Sequence, residues 1–246
     1  MRSVVLIPAR YNSSRYPGKP LVPLLGKPMI LWVVELSAVA VGIDNVYVVT
    51  DDNRIADVVK EAGYQVIMTV SPALTGTDRL AEAVDHVAAD IYINVQGDEP
   101  LANPDDILKV LETKVLHPED VVNGYCWLSD NEDPKNVNIP KVISNENNEL
   151  IYMSRLAVPG FKESTNAPMR YKKQVCIYAF SKEELQAFKL FGRKSELEQC
   201  EDIEILRFLE IGKRIRMVQT QPGSLAVDIP EDVKLVEEAL KKRVKS

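Results

Sequence analysis

Between Met1 and Val34 the chain carries Arg2, Arg10, Arg15, Lys19 and Lys27, and no carboxylate appears until Glu35. The whole sequence nevertheless holds 36 Asp and Glu against 30 Lys and Arg, a net charge of −6. Positive charge is therefore local, which suits a small anion and argues against nucleic acid or an anionic membrane surface, where a broad basic face is needed. The segment Pro8 to Pro20 gathers two guanidinium forks, one ammonium, hydroxyls and backbone N–H groups into one loop. That inventory cradles a polyphosphate, with Arg binding oxygens in pairs and Lys acting as a point charge. The loop is neither G-x-x-x-x-G-K-S/T nor G-x-G-x-x-G, so the common NTPase and dinucleotide fingerprints are absent. Solvated cations on a polar loop are the plainer alternative.

Carboxylates complete the picture. Asn94-Val95-Gln96-Gly97-Asp98-Glu99-Pro100 follows an apolar run, and Gly97 lets backbone approach a ligand closely. A carboxylate facing phosphates suits Mg²⁺, which takes one or two carboxylates plus phosphate oxygens. Asp228, where another short apolar run stops, supplies a second, so Asp98 and Asp228 form the candidate metal pair. A turn and helix-cap role is the alternative for Asp98 and Glu99, while Glu231 and Asp232 read as first-turn helix acids. His86, on a predicted helix, and His117, beside Pro118, lack metal-site spacing. Trp32 fits the core stripe of the first helix. Lys172 and Lys173 read as a solvated strand edge.

The elements that must position these groups follow from periodicity. Strands are predicted at Ser3 to Pro8, Val46 to Thr50, Gln65 to Met68 and Ile91 to Val95. Helices are predicted over Met29 to Val41, from Asp51–Asp52 to about Ala62, and from a Thr75–Asp78 cap to about Ala88. This alternation indicates right-handed βαβ units and a parallel sheet covered on both faces. Such sheets bind ligands at the loops beyond the strands' carboxyl ends, where the candidate residues lie. After about Thr113 the rhythm changes to strands at Asp120 to Leu128, Lys141 to Ser144, Leu150 to Ser154 and Gln174 to Phe180, an inserted mixed region. A capping box at Ser181–Glu184, one long acidic helix over Glu196 to Glu210, a strand at Arg214 to Thr220 and a final helix from about Pro230 to Lys245 complete the chain. At 246 residues with 46% hydrophobic side chains, one α/β domain with an embedded subdomain accommodates everything. No apolar run reaches the roughly 20 residues of a membrane span, and no signal peptide is evident, so a cytoplasmic protein is expected. Cys126, Cys176 and Cys200 form no Cys-x-x-Cys pair and are expected as buried, free thiols.

The order of motifs carries a resemblance. Ile7-Pro8-Ala9-Arg10-Tyr11, Arg15-x-Pro17-Gly18-Lys19-Pro20-Leu21, Gly26-Lys27-Pro28-Met29-Ile30, Thr50-Asp51-Asp52, Met68-Thr69, Gly76-Thr77-Asp78-Arg79-Leu80, Asn94 to Pro100, Tyr152-x-Ser154-Arg155 and Val227-Asp228-x-Pro230-Glu231-Asp232 together resemble the 3-deoxy-manno-octulosonate (Kdo) cytidylyltransferases. The likeness spans essentially the whole chain. It implies a three-layer α/β core of the nucleotide-diphospho-sugar-transferase type, with the nucleotide-binding part at about residues 1–115 and 215–246. The acceptor and dimerisation part would be about 116–214, with 154–168 as a dimer arm. The implied reaction moves a cytidylyl group from CTP to the anomeric hydroxyl of an acidic 2-keto sugar, releasing pyrophosphate. By similarity Arg10, Arg15 and Lys19 would bind the triphosphate. Pro8, Ala9, Thr75, Gly76, Arg79 and Gln96 would hold the rest of the nucleotide. Arg10, Lys19 and Asp98 would be catalytic, with Asp98 and Asp228 holding Mg²⁺. Arg155, Gln174, Tyr178 and Glu204 would contact the acceptor. The chemistry agrees, since in-line attack at phosphorus needs positioning and charge stabilisation and no covalent nucleophile.

The departures fall on the acceptor side. Relatives place His and Gly where this chain has Gln174 and Cys176, and Gln where it has Ile205. Gln174 still hydrogen-bonds but cannot become cationic, and Ile205 removes an amide. Loss of polar partners shifts substrate choice strongly, so either these are tolerated changes in a Kdo enzyme or the acceptor is a modified Kdo, another ulosonic acid or a phosphonate. A non-catalytic nucleotide-binding regulator is the rival from another class, although the intact Arg10, Lys19, Asp98 and Asp228 set speaks against it.

Overall fold

A computed structural model describes residues 1–12, 16–70, 72–223 and 225–244 of the chain. The β-branched run at the start forms β1 (Ser3–Pro8). A 3-10 turn (Lys19–Leu21) and a small hairpin of β2 (Pro23–Leu24) and β3 (Lys27–Pro28) then lead into α1 (Met29–Val41). β4 (Val46–Thr50), α2 (Asn53–Glu61), β5 (Gln65–Met68), α3 (Gly76–Ala83), β6 (Ile91–Val95) and α4 (Pro104–Leu116) continue the alternation. β7 (Val121–Trp127), β8 (Lys141–Ser144), β9 (Leu150–Ser154) and β10 (Lys172–Phe180) come next, followed by α5 (Lys182–Leu190), α6 (Glu196–Glu201), α7 (Leu206–Glu210), β11 (Ile215–Gln219) and α8 (Asp232–Val244).

The main sheet runs β11-β7-β10-β6-β1-β4-β5. β6, β1, β4 and β5 are parallel, β10 is antiparallel to both β6 and β7, and β11 is parallel to β7. β8 pairs with the start of β10 and carries β9 out of the main path. Alternation in β1 sends Leu6 to one face, with Tyr92, Phe180 and Phe208, and Ile7 to the other, with Ile30, Val33 and Ile93. Helices cover both faces, which is the expected three-layer architecture, and residues 116–214 contribute β7 and β10 to its sheet. Among the described residues no helix is long and apolar enough to cross a membrane.

Four local expectations change. The helix begun at Thr75 ends at Ala83 instead of Ala88, because Tyr92 Oη accepts from Ala89 N–H and donates to the Val87 carbonyl, fastening a turn that also holds His86. The single helix over Glu196 to Glu210 is broken at Asp202, which adopts a left-handed conformation (φ 50°). Driving Ile203, Ile205 and Leu206 into the core requires that turn, and Arg155 donates to the carbonyls of Glu201 and Asp202 that the break exposes. β10 lies inside the sheet, so its lysines are not a solvated edge: Lys173 pairs with Glu132, and Lys172 donates to Ser144 and lies over the Tyr125 and Trp127 rings. Cys126 is buried, which pushes its thiol up to about 11, whereas Cys200 is exposed.

Candidate functional site

A cleft of about 620 Å³ opens where β1 and β6 end. Its floor depends on two glycines. Gly18 has φ 73° and donates its N–H to the Tyr11 carbonyl at 2.8 Å, folding the first loop back so that the 3-10 turn starts at Lys19. Gly97 lies so close to β1 that a Cβ there would sit 2.9 Å from the Pro8 carbonyl oxygen. The two loops therefore meet, and Lys19 Nζ lies 2.5 Å from Asp98 Oδ2 and 3.5 Å from Asp228 Oδ1. Val227 N–H donates to the Asp98 carbonyl at 3.0 Å, tying the third loop to the second. Asp232 is an acid in the first turn of α8, as its position suggested, and accepts from the Asp228 and Ile229 N–H groups.

The start of α3 forms the next wall. Thr75 and Asp78 make a reciprocal capping box, and Asp78 is in turn gripped by Arg207, which also holds Glu198 with two bonds of 2.7 Å. Arg207 is wholly buried, and its guanidinium stacks on Phe188 at 3.6 Å. Glu204 accepts from Thr77 N–H and from Gln96 Nε2, each at 3.1 Å, and burial pushes its carboxyl above the usual range. Arg79 is buried and donates to Thr69 at 2.6 Å and Asp51 at 2.9 Å. It therefore reaches the cleft as a braced wall, whereas Arg10 is exposed at the rim.

β10 and the break after α6 form the far wall. Gln174 Nε2 donates to Asn123 Oδ1 at 3.1 Å and Tyr178 Oη at 3.2 Å, and burial holds the Tyr178 hydroxyl well above its normal pKa. Arg155 donates to the carbonyls of Glu201, Val137 and Asp202, and its own carbonyl accepts from buried Lys141. Most of its hydrogen-bonding capacity thus braces this wall. Pro8, Ala9, Arg10, Lys19, Thr75, Gly76, Arg79, Gln96, Asp98, Arg155, Gln174, Tyr178, Glu204 and Asp228 all line the one cleft. Arg15 lies outside the described residues. Ile205, expected to alter the acceptor site, instead packs in the core at 1% exposure and does not reach the cleft, because the turn after Asp202 points Glu204 outward and Ile205 inward.

A family profile described as Cytidylyltransferase matches residues 4–215. The chain belongs to the cytidylyltransferase family. It is 40% identical over 235 residues to a 3-deoxy-manno-octulosonate cytidylyltransferase of Christiangramia forsetii, covering 94% of each chain. It is 39% identical over 250 residues to an 8-amino-3,8-dideoxy-manno-octulosonate cytidylyltransferase of Shewanella baltica, covering 98% of this chain and 99% of that one. A solved structure of CMP:2-keto-3-deoxy-manno-octonic acid synthetase complexed with CTP superimposes with a TM-score of 0.91 at 36% identity, covering 99% of this chain and 100% of that one. Membership makes this cytidylyltransferase a nucleotidyltransferase that uses CTP.

The cytidylyltransferase also places residues in the cleft that sequence reasoning passed over. Lys194 and Asp202 form an ion pair of 2.9 Å on the far wall, beside Asn138 and Glu198. Asn123 lies beneath Gln174. Asp202 falls within the stretch Glu196 to Glu210 that reads as one acidic helix, and nothing in that pattern signals the break that turns Asp202 into the cleft.

Proposed function

We propose that the chain transfers the cytidylyl group of CTP to the anomeric hydroxyl of Kdo or a closely related acidic sugar, releasing pyrophosphate. The observation that carries this reading is the joining of Lys19 to both Asp98 and Asp228 at the mouth of one cleft whose other wall is built for a polar acceptor. Two hard carboxylates flanking one ammonium suit Mg²⁺ shared with phosphates. Among the described residues no cluster of three or more potential ligands exists, so the ligand would complete the ion's shell. When bound, Mg²⁺ would withdraw charge from the phosphate oxygens and favour ionisation of the attacking hydroxyl.

The chain's own residues supply the rest. Arg10 and Lys19 meet the triphosphate, and the α3 start with Gln96 holds the cytidine part. The far wall orients the acceptor so that its anomeric oxygen lies in line with the α-phosphorus. The oxygen–phosphorus bond forms as the bond to the β-phosphate breaks, and negative charge on the departing pyrophosphate is met by cations already in place. Residues 1–115 and 215–246 thus serve the nucleotide, and 116–214 serve the acceptor. Exposed Leu156, Phe161 and Met169 suit burial in a homodimer through the arm at 154–168 and its flank. Incubation with CTP, Mg²⁺ and Kdo, read by mass spectrometry, should yield CMP-Kdo and pyrophosphate. No product from Kdo or any other sugar acid would overturn the reading. A second reading, an amine-bearing acceptor, is supported by the 39% identity to an 8-amino-3,8-dideoxy-manno-octulosonate cytidylyltransferase, and the same assay with 8-amino-3,8-dideoxy-Kdo decides between them.

A further inference from the structure

The β10–β7 ladder jumps register between Val175 and Tyr178: Val175 faces Gly124, yet Tyr178 faces Asn123, so Cys176 and Ile177 bulge out. Such bulges re-aim side chains and leave backbone groups without ladder partners. Asn123, wholly buried, repairs this one by donating through Nδ2 to the carbonyls of Val175 (2.9 Å) and Ile177 (3.1 Å). Both of its amide protons are then committed, and Oδ1 can only accept. Gln174 must therefore turn Nε2 towards Asn123, and it does, donating there at 3.1 Å and to Tyr178 Oη at 3.2 Å. Those two bonds use both Nε2 protons. Oε1 accepts nothing from the described residues and is not buried, and Gln174 lines the cleft.

We propose that Asn123 is a positioning residue that fixes the amide of Gln174, so that the far wall presents a neutral hydrogen-bond acceptor, Gln174 Oε1, to the sugar. This rests on the acceptor reading above and narrows it. The substrate must offer a donor at that wall, a hydroxyl or an ammonium. Its carboxylate must face elsewhere, because two acceptor oxygens repel and a buried acceptor without a donor is costly. Lys194 and the N–H groups of Arg155 not directed at carbonyls lie on the same wall for that carboxylate.

Two measurements test this. In enzyme labelled with ¹⁵N-glutamine, the Gln174 side-chain amide is assigned by its absence from Gln174→Met. Its protons, both hydrogen-bonded, should exchange more slowly than those of an exposed side chain. Exchange as fast as that of exposed Gln199 would overturn the proposal, and this readout needs no acceptor. In kinetics, deoxy and deoxyfluoro acceptors are compared position by position, since fluorine can accept but cannot donate. At one position both replacements should raise the acceptor KM about tenfold, the scale of one hydrogen bond, and Gln174→Met should erase that difference. Asn123→Ser should shrink it as well, with KM for CTP moving less than KM for the acceptor. A fluoro analogue that binds like the parent at every position would overturn the assigned polarity. Should no sugar acid be turned over at all, the proposed function falls, and the amide exchange still decides the orientation.

Discussion

Replacing Glu204 by Gln probes the joint between the two halves of the cleft. The carboxylate offers one oxygen to Thr77 N–H and the other to Gln96 Nε2, each at 3.1 Å. An amide of the same shape has a single oxygen, so its NH₂ must face one of those donors. If the bond is simply lost, an enclosed donor goes unsatisfied at about 1–3 kcal/mol. The folded protein bears that penalty with or without CTP, so it should appear as lost stability, while KM for CTP should rise because Gln96 and the α3 start lose their brace. If Gln96 flips to restore the bond, it presents the opposite group to the nucleotide, and CTP binding suffers by that route. Steady-state kinetics at saturating acceptor, with a thermal melt as a check on folding, measure this. An unchanged KM for CTP in a folded variant would refute the claim that Glu204 braces the nucleotide-facing turn. The linkage has a sign as well. Burial raises the folded-state pKa of Glu204 above its unfolded value, so its contribution to stability is present below the unfolded pKa and lost as pH rises through the folded one. Stability of Glu204→Gln relative to the parent should therefore improve as pH is raised from about 4 to about 7.

Other outcomes follow from the same contacts. Arg207→Met should cost about 3–5 kcal/mol in urea unfolding, because it strands Asp78 and Glu198 beside a buried hole, and a loss under about 1 kcal/mol would contradict the network. Gly97→Ala forces a Cβ to 2.9 Å from the Pro8 carbonyl oxygen and should cost about 1–3 kcal/mol of stability by overpacking, together with a raised KM for CTP. A melt and a KM both equal to the parent's would show that the two loops can part freely.

Much of the frame was legible because each signal was local. The Thr75 and Ser181 caps start helices where expected, and β1, β4, β5 and β6 begin and end where their apolar runs do. The gathering of Pro8, Ala9, Lys19, Gln96, Asp98 and Asp228 in one cleft was equally legible, since they sit in loops that follow apolar runs. The far wall was legible only in part: Arg155, Gln174, Tyr178 and Glu204 line the cleft as expected, but the turn that shapes it had no signal. Asp202 breaks a stretch whose period reads as one helix, because burying Ile203 and Ile205 outweighs helix continuity, and that competition is decided by tertiary packing. Ile205 looked like a substrate determinant and is core. Asn123, to which the sequence assigned no role, accepts a hydrogen bond from Gln174 at a bulge that leaves no trace in composition. Arg155 kept its place in the cleft, yet much of its hydrogen bonding is turned to backbone carbonyls.

The central claim is that Lys19, Asp98 and Asp228 form the phosphate and metal end of a cytidylyl-transfer site. Its most direct test is pyrophosphate release from CTP and Kdo with Mg²⁺, comparing the parent with Asp98→Asn. The substitution keeps the shape and removes one hard anionic ligand. Near-loss of turnover is expected, about 10³-fold if roughly 4 kcal/mol of charge stabilisation is removed, with the melting temperature little changed. Turnover like the parent's in the folded Asp98→Asn variant would contradict the account.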